Sequence, residues 1–231
     1  MADRVARLGA SVVVAVATAV VLLAISIPPF LNPAWVSWEQ GRSDAVGWTG
    51  YSSQDLRTAT DAILSDLVLG PPDFDVAVAG APVLAPAERS HMVDVRRVFI
   101  GLAIAAVASV VVLVVGHRVA GGGGGFWAAV RAGAAGLAVA VVAIGIVGAF
   151  AFDLAFEIFH RLFFARDTYT FDPRTARLVQ LFPEQFWFET SMAVGVLILV
   201  LCAATRRVAG GRRSGTVARG TVGERRLEPS R

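Results

Sequence analysis

Four long apolar runs constrain this chain more than any other feature of its sequence. They lie at approximately residues 8–27, 98–115, 128–152 and 192–204. Each run, the fourth together with its flanks, is long enough to cross about 30 Å of hydrocarbon as a helix. With 55% hydrophobic and 17% charged residues, the chain is too apolar for a soluble single domain. The sequence therefore predicts an integral membrane protein with four transmembrane helices.

The first apolar run follows Arg4 and Arg7, an arrangement that also begins secretory signal peptides. The run is long, however, and no clean small-x-small cleavage site precedes the Pro28-Pro29 pair at its end. Residues 1–30 are therefore predicted to form an uncleaved transmembrane anchor.

Arginine placement predicts the orientation of the helices, because short cytoplasmic loops retain positive charge. Arginines precede the first run, lie between the second and third, and recur after the fourth, whereas residues 31–94 carry nine acidic residues and three arginines. We expect both termini in the cytoplasm, and residues 31–97 and 153–190 on the opposite face of the membrane.

The predicted organisation alternates membrane helices with two outer segments. Its parts are the first helix (1–30), an outer segment (31–97), the second and third helices with a glycine-rich cytoplasmic loop (98–152), an aromatic and arginine-rich outer segment (153–190), the fourth helix (191–205) and a basic tail (206–231). The tail has almost no apolar residues with which to form a core, so we predict that it is disordered. The glycines at 121–125 lack the Lys and Ser/Thr of a phosphate-binding loop, which indicates a flexible connector.

The first outer segment contains the pattern of an amphipathic helix. Ser52 and Asp55 form a capping box, and apolar residues then recur at helical spacing between residues 56 and 67. The Gly70-Pro71-Pro72 sequence ends this helix.

A short hairpin is predicted after that helix. Apolar and polar or small residues alternate over residues 74–79, and Gly80-Ala81-Pro82 supplies a turn into Val83-Leu84. The predicted fold class is therefore an α-helical membrane protein, with four transmembrane helices and a small extracytoplasmic α+β cap.

The second outer segment is rich in aromatic residues interleaved with arginines. Between residues 159 and 188 it carries nine aromatic residues and four arginines. An aromatic belt at the membrane interface, with arginines reaching lipid phosphates, would account for this composition. The same residues could equally form part of a substrate site.

Two histidines on the predicted outer side share helical spacing with carboxylates. Asp94 follows His91 by three residues, and His160 follows Glu157 by three. A carboxylate beside an imidazole can orient it and raise its pKa, as a general base requires. The alternative is that all four are solvated residues at helix ends. The third histidine, His117, is placed at the cytoplasmic end of the second run.

The chain offers few candidates for nucleophilic catalysis. Cys202, the single cysteine, falls near the cytoplasmic end of the fourth run, away from the histidines. Ser90 is adjacent to His91 and would point elsewhere on a helix. A covalent acyl-enzyme is therefore poorly supported, and a single cysteine excludes an internal disulfide.

Four ordered motifs resemble those of a known family. They are Ser90-His91-Met92-Val93-Asp94-Val95, Phe159-His160-Arg161-Leu162-Phe163-Phe164, Phe171-Asp172-Pro173 and Leu181-Phe182-Pro183-Glu184. In order and spacing they are similar to the bacterial integral membrane protein family that includes the lipoprotein intramolecular transacylase, Lit. The resemblance covers roughly residues 50–189.

The resemblance implies a reaction as well as a fold. Its substrate would be a lipoprotein whose N-terminal cysteine carries a diacylglyceryl group on sulfur and a free α-amine. The enzyme would move the sn-2 acyl chain to that amine in the bacterial cytoplasmic membrane, on the extracytoplasmic face and without a cofactor. The histidines that match the family's catalytic pair are His91 and His160.

The resemblance also lets each residue be given an expected role. Because amine and ester belong to one substrate, no covalent carrier is needed, but a base must take the amine proton. We expect His91, oriented by Asp94, to be that base, and His160 to donate to the oxyanion or the leaving alkoxide; the two roles could be exchanged. The residues expected to contact substrate are Glu157, Arg161, Arg166, Phe163, Phe164 and Tyr169.

Two other functions remain open at this point. His91, Asp94, Glu157 and His160 could form a zinc set for a membrane hydrolase, although no His-Glu-x-x-His motif is present. A non-enzymatic protein could instead use the aromatic and arginine surface to bind a lipoprotein or a membrane phospholipid. No nucleic-acid partner is expected, and the sequence carries no indication of the oligomeric state.

Overall fold

The computed structural model describes residues 2–165 and 167–225, and within them it is mostly helical. The side chains of residues 2, 3 and 213–225 are not described. The helices are α1 (Ala2–Ser26), α2 (Pro33–Arg42), α3 (Ala45–Thr49), α4 (Ser53–Val68), α5 (Pro86–Val119), α6 (Gly124–Phe150), α7 (Phe152–Phe163), α8 (Arg177–Leu181) and α9 (Glu184–Arg225). A 3₁₀ turn covers Pro28–Phe30, and one antiparallel hairpin joins β1 (Ala77–Val78) to β2 (Ala81–Pro82).

Four of these helices are long and apolar enough to cross a membrane. The corresponding spans are Arg4–Phe30, Pro86–Val119, Gly124–Phe150 and Glu184–Arg212, and an 18-residue stretch in each has a mean hydropathy of 2.7, 3.0, 2.3 and 2.0, respectively. The prediction of four membrane helices is confirmed at this level, and the chain is a membrane protein.

The second long helix begins earlier than the hydropathy pattern predicts. α5 starts at Pro86 rather than near residue 98, because proline is favoured in the first turn of a helix, where its missing N–H is not needed. Residues 86–97 therefore form the first turns of α5. His91 lies in the second turn of a long helix.

The third long helix ends at Phe150, and a separate helix follows it. Ala151 has φ −150° and ψ 59°, a conformation that breaks the helix before α7 begins at Phe152. Glu157 and His160 therefore lie on a short helix of their own, which the sequence pattern does not distinguish from the third span.

The fourth long helix continues into the predicted tail. The prediction of disorder is therefore wrong for residues 206–225. α9 runs from Glu184 to Arg225 with no proline between these residues to interrupt it. A segment with few apolar residues can stay helical where it continues a long helix, and residues 206–225 continue α9 in this way. Residues 226–231 lie outside the described residues.

The chain divides into two compact units. The mixed unit contains residues 27–102 and 144–195, and the helical unit contains residues 1–26, 103–143 and 196–231. Helices α2, α3, α4, α7 and α8 and the hairpin all belong to the mixed unit.

The mixed unit has its own hydrophobic core, built mainly on α4 and the hairpin. The face of α4 that the sequence predicts as apolar is buried, with Ile63 at its centre, and Phe74, Leu84 and Leu181 are among the other large side chains of this core. Half of the predicted capping box forms, because Ser52 Oγ accepts the Asp55 N–H at 3.1 Å. The Asp55 carboxylate accepts a hydrogen bond from the Ser52 hydroxyl rather than from the Ser52 N–H.

The predicted hairpin is present but is shorter than expected. Its turn falls at Ala79-Gly80, where both residues have positive φ, rather than at Gly80-Ala81-Pro82. A two-residue turn with two positive φ values matches the twist of the flanking strands, and glycine favours this conformation.

The helical unit contains a close approach between α1 and α6. A Cβ added at Gly133 would lie 2.1 Å from the carbonyl oxygen of Ala15, so only glycine permits this contact. Ala209 of α9 is buried with Ala129 and Val130 of α6 in the same unit.

A charged cluster in the mixed unit joins α2 to the first turns of α9. Arg42 donates to both carboxylate oxygens of Glu189, at 2.6 and 3.1 Å, and Gln185 donates to the same carboxylate at 2.9 Å. Glu39 is 0% exposed, and neither of its carboxyl oxygens has a hydrogen-bond partner among the described residues. Burial, reinforced by the nearby Glu189 carboxylate, raises the pKa of Glu39 from 4.5 to about 7.

Candidate active site

Two buried histidines meet in the mixed unit. His91 of α5 is 6% exposed and His160 of α7 is 8% exposed. Their ring centroids are 5.9 Å apart and the ring planes are inclined by 24°. The structure therefore brings together the two histidines that the sequence analysis selects.

Aromatic side chains surround this pair. Phe164 lies 4.8 Å from the His91 ring and 5.5 Å from the His160 ring, measured between centroids. Phe156 and Tyr169 lie 4.1 and 5.1 Å from His160. This enclosure removes water from the imidazoles, and burial lowers the pKa of His160 below its ordinary value, although the hydrogen bond with Phe156 partly opposes the shift. His160 is accordingly neutral at pH 7.

The hydrogen bond of His160 fixes its tautomer. Its Nδ1 lies 2.8 Å from the carbonyl oxygen of Phe156, one turn earlier in α7. A carbonyl oxygen can only accept a hydrogen bond, so Nδ1 carries the proton in the neutral ring. Nε2 is then left with its lone pair, which is the state of a general base.

His91 lacks the orienting partner that its sequence predicts. Asp94 Oδ1 instead accepts a hydrogen bond from Arg97 at 2.6 Å, and His91 Nδ1 is buried without a hydrogen-bond partner among the described residues. The prediction that Asp94 orients His91 through a hydrogen bond is therefore wrong. Arg97, three residues further along α5, binds the Asp94 carboxylate instead.

Several residues expected to contact substrate line one polar cleft. The cleft has a volume of about 270 Å³ and is lined by Glu157, Arg161, Asp167, Tyr169 and Thr170. Glu157 and Arg161 form an ion pair at 2.5 Å across one turn of α7. Because Tyr169 also contacts the His160 ring, the cleft adjoins the histidine pair.

The remaining residues expected to contact substrate take different positions. Phe164 is buried against both histidines, whereas Phe163 is 47% exposed and contacts Phe159. Arg166 lies outside the described residues.

Sequence reasoning missed Glu88, which fixes the segment around the site. This side chain is 3% exposed; its Oε2 accepts the Ala85 N–H at 2.7 Å, and its Oε1 accepts the Leu178 N–H of α8 at 2.6 Å. Phe171, on the chain that leads into α8, lies 5.7 Å from the His91 ring. The order Pro86-x-Glu88 was the available signal, since it places a carboxylate in the first turn of a helix.

The zinc set considered from the sequence does not assemble. Asp94 is paired with Arg97, and Glu157 with Arg161. Within the part of the chain that the structure describes, no three His, Cys, Asp or Glu side chains are grouped so that they could hold a metal ion.

Three solved structures of one protein from Bacillus cereus are similar to this chain in fold. The membrane integral lipoprotein intramolecular transacylase Lit from Bacillus cereus matches with a TM-score of 0.73 and 19% identity, over 90% of this chain and 97% of its own. A variant of that protein with one histidine changed to arginine gives 0.70 at 18% identity, over 93% and 96% of the two chains. A variant with alanine there gives 0.70 at 19%, over 92% and 97%. At these identities the likeness shows the fold.

Sequence comparison gives the family. No curated protein matches this chain. A family model described as lipoprotein intramolecular transacylase Lit matches residues 12–187, which is well over half of the 231 residues and includes both buried histidines. The chain therefore belongs to the lipoprotein intramolecular transacylase family, Lit.

Proposed function

We propose that this protein transfers an acyl chain from the glyceryl ester of a lipoprotein N-terminal cysteine to the α-amine of the same cysteine. Family membership supports the reaction, and the observation that carries the mechanism is the buried pair of His91 and His160. The α-amine and the ester belong to one molecule, so both reacting groups enter the site together. Holding them in one geometry supplies much of the rate enhancement.

His160 is the general base. The amine nitrogen attacks the sn-2 ester carbonyl, and as the N–C bond forms its proton passes to Nε2 of His160. The hydrogen bond from Nδ1 to the Phe156 carbonyl keeps Nε2 unprotonated beforehand and stabilises the imidazolium that forms. The neutral state of this imidazole at pH 7 means that it is ready to accept the proton.

His91 stabilises the tetrahedral intermediate. In neutral imidazole one ring nitrogen carries a hydrogen, and His91 donates it to the carbonyl oxygen that becomes an oxyanion. The ester C–O bond then breaks, and the imidazolium of His160 returns its proton to the glyceryl oxygen. One amide and one free hydroxyl are formed, and the protein ends the cycle unchanged.

The acyl chains approach from the lipid along α7. Leu154, Ile158 and Leu162 are all more than half exposed, and they recur at four-residue spacing along one face of this helix. The polar cleft of Glu157, Arg161 and Tyr169 receives the glyceryl and peptide parts of the substrate, because its polar side chains can form hydrogen bonds with hydroxyl and amide groups.

The site faces the extracytoplasmic side of the bacterial membrane, with both termini in the cytoplasm. The distribution of arginines supports this orientation. Fusions of a cytoplasm-restricted fluorescent reporter to each terminus test it; fluorescence absent from both fusions, with full-length protein present, would contradict the orientation.

The reaction is tested by mass spectrometry of the N-terminal lipopeptide of a reporter lipoprotein. The protein is co-expressed in cells that lack other N-acylating enzymes, and the wild type should yield an N-acylated, S-monoacylglyceryl cysteine. His91→Ala and His160→Ala should each reduce conversion by about 10²–10⁴-fold, the range of general acid–base and oxyanion contributions.

The third histidine offers a matched control. His117 belongs to the helical unit, where its ring lies 5.2 Å from Phe126, so His117→Ala should retain conversion. Full activity in folded, inserted His91→Ala or His160→Ala would refute the role given to that residue. No N-acylation by the wild type would instead favour the lipid- or lipoprotein-binding alternative.

A further inference from the structure

A second cleft lies in the helical unit and is lined almost wholly by arginine and glycine. It has a volume of about 480 Å³, and its lining residues are Arg131, Ala203, Arg206, Arg207, Gly210 and Gly211. No acidic residue lines it among the residues that the structure describes. We call it the arginine cleft.

The packing of α6 on α9 builds the arginine cleft. Ala209 is 1% exposed and packs with Ala129 and Val130, so the two helices are held together at this level. Arg131 directly follows Val130, and the lining residues of α9 recur at three- and four-residue spacing on one helical face.

Glycine keeps the cleft open. A Cβ built at Gly210 would lie 3.5 Å from Nη1 of Arg131, in ordinary contact, and one built at Gly211 would meet no atom within 4 Å. Longer side chains at these two positions would occupy part of the cleft that both glycines line.

We propose that the arginine cleft binds a phosphate group. Three arginines line one cleft, and no carboxylate is among its described lining residues. A phosphate provides the charge and the paired acceptor oxygens that guanidinium groups bind in bidentate fashion. This site is separate from the histidine pair and does not rest on the proposed transacylase reaction.

The membrane is the favoured source of that phosphate. The cleft lies in the last turns of the apolar span Glu184–Arg212, where lipid headgroups meet a spanning helix. Val200 and Val208 of α9 are 58% and 56% exposed, so the same part of the helix also offers apolar contacts for acyl chains. An anionic phospholipid such as phosphatidylglycerol combines both features.

Native mass spectrometry of the full chain in detergent tests the proposal. The protein is titrated separately with phosphatidylglycerol, with phosphatidylcholine of the same acyl chains, and with inorganic phosphate. The affinity for the ligand that binds should fall at least about tenfold when Arg131, Arg206 and Arg207 are all changed to Gln. Tighter binding of phosphatidylglycerol than of the other two ligands identifies a lipid headgroup. Inorganic phosphate that binds as tightly as phosphatidylglycerol identifies a free anion. Both results support a phosphate site.

Two further variants separate a specific site from general charge. Changing Arg4, Arg7 and Arg118 to Gln removes the same charge outside the cleft lining and should leave binding within about twofold. Gly211→Leu keeps every arginine but fills the cleft, and should weaken binding about tenfold. An equal loss in the control triple, or unchanged binding in both the cleft triple and Gly211→Leu, would overturn the proposal.

Discussion

Replacing Glu88 by glutamine should uncouple the segment before α8 from the helix that carries His91. The wild-type carboxylate accepts two buried backbone N–H groups, one at each oxygen. Glutamine keeps the size of the side chain but has a single oxygen, so one of these N–H groups faces an amide NH₂ and loses its acceptor. A buried donor without a partner costs about 1–3 kcal/mol. Glu88→Ala orphans both N–H groups and should cost about 2–6 kcal/mol by the same reasoning.

The same substitution should also reduce activity. Leu178 lies in α8, and the segment leading into this helix carries Phe171 against the His91 ring. A displacement of about 1 Å at a reacting group can reduce a rate roughly 10²-fold. We therefore expect folded Glu88→Gln to show a lower kcat for transacylation, with KM for the lipopeptide changed much less.

The assay combines thermal unfolding in detergent with lipopeptide conversion per unit of folded enzyme. Asp75→Asn is the matched acid-to-amide control, because its ion pair with Arg89 involves a carboxylate that is 70% exposed and such pairs contribute about 0–1 kcal/mol. The reasoning would be refuted by a Glu88→Gln protein with the melting temperature and kcat of the wild type. A lower melting temperature with an unchanged kcat per folded molecule would show that Glu88 stabilises the fold without positioning the active site.

Two further predictions concern parts of the molecule away from the histidines. Because the folded state raises the pKa of Glu39 to about 7 from 4.5, it binds a proton more tightly than the unfolded chain. Its stabilising effect is full below pH 4.5 and is lost as the pH rises to about 7. Glu39→Gln should flatten this part of the melting-temperature profile; an unchanged profile would contradict the assignment. Gly133→Ala should abolish folding, since its Cβ would overlap the Ala15 carbonyl, whereas Gly136→Ala, with no atom within 4 Å of its Cβ, should be tolerated. Yields of monodisperse protein measure both, and equal yields would refute the close approach.

The parts of the fold set by local chemistry were predictable. The four membrane helices follow from the length of apolar runs, and α4 follows from its Ser52 cap and its apolar spacing. The family resemblance rests on short ordered motifs and is confirmed, together with the acyl-transfer function at the level of the family. The helix limits were less predictable, because hydropathy marks the part of a helix that suits lipid and not the turns that extend beyond it, as at Pro86 and Glu184.

The sequence alone determined that His91 and His160 were the residues to examine, because their spacing to carboxylates and their flanking motifs are local features. Only the tertiary structure decided their partners. Asp94 and Glu157, the expected partners, form ion pairs with arginines about one turn further along their own helices. His160 bonds to a backbone carbonyl, and the wall around both rings comes from α5, α7 and the segment before α8. Competition among acceptors and contacts between distant segments depend on how helices pack, and periodicity along one helix does not carry that information.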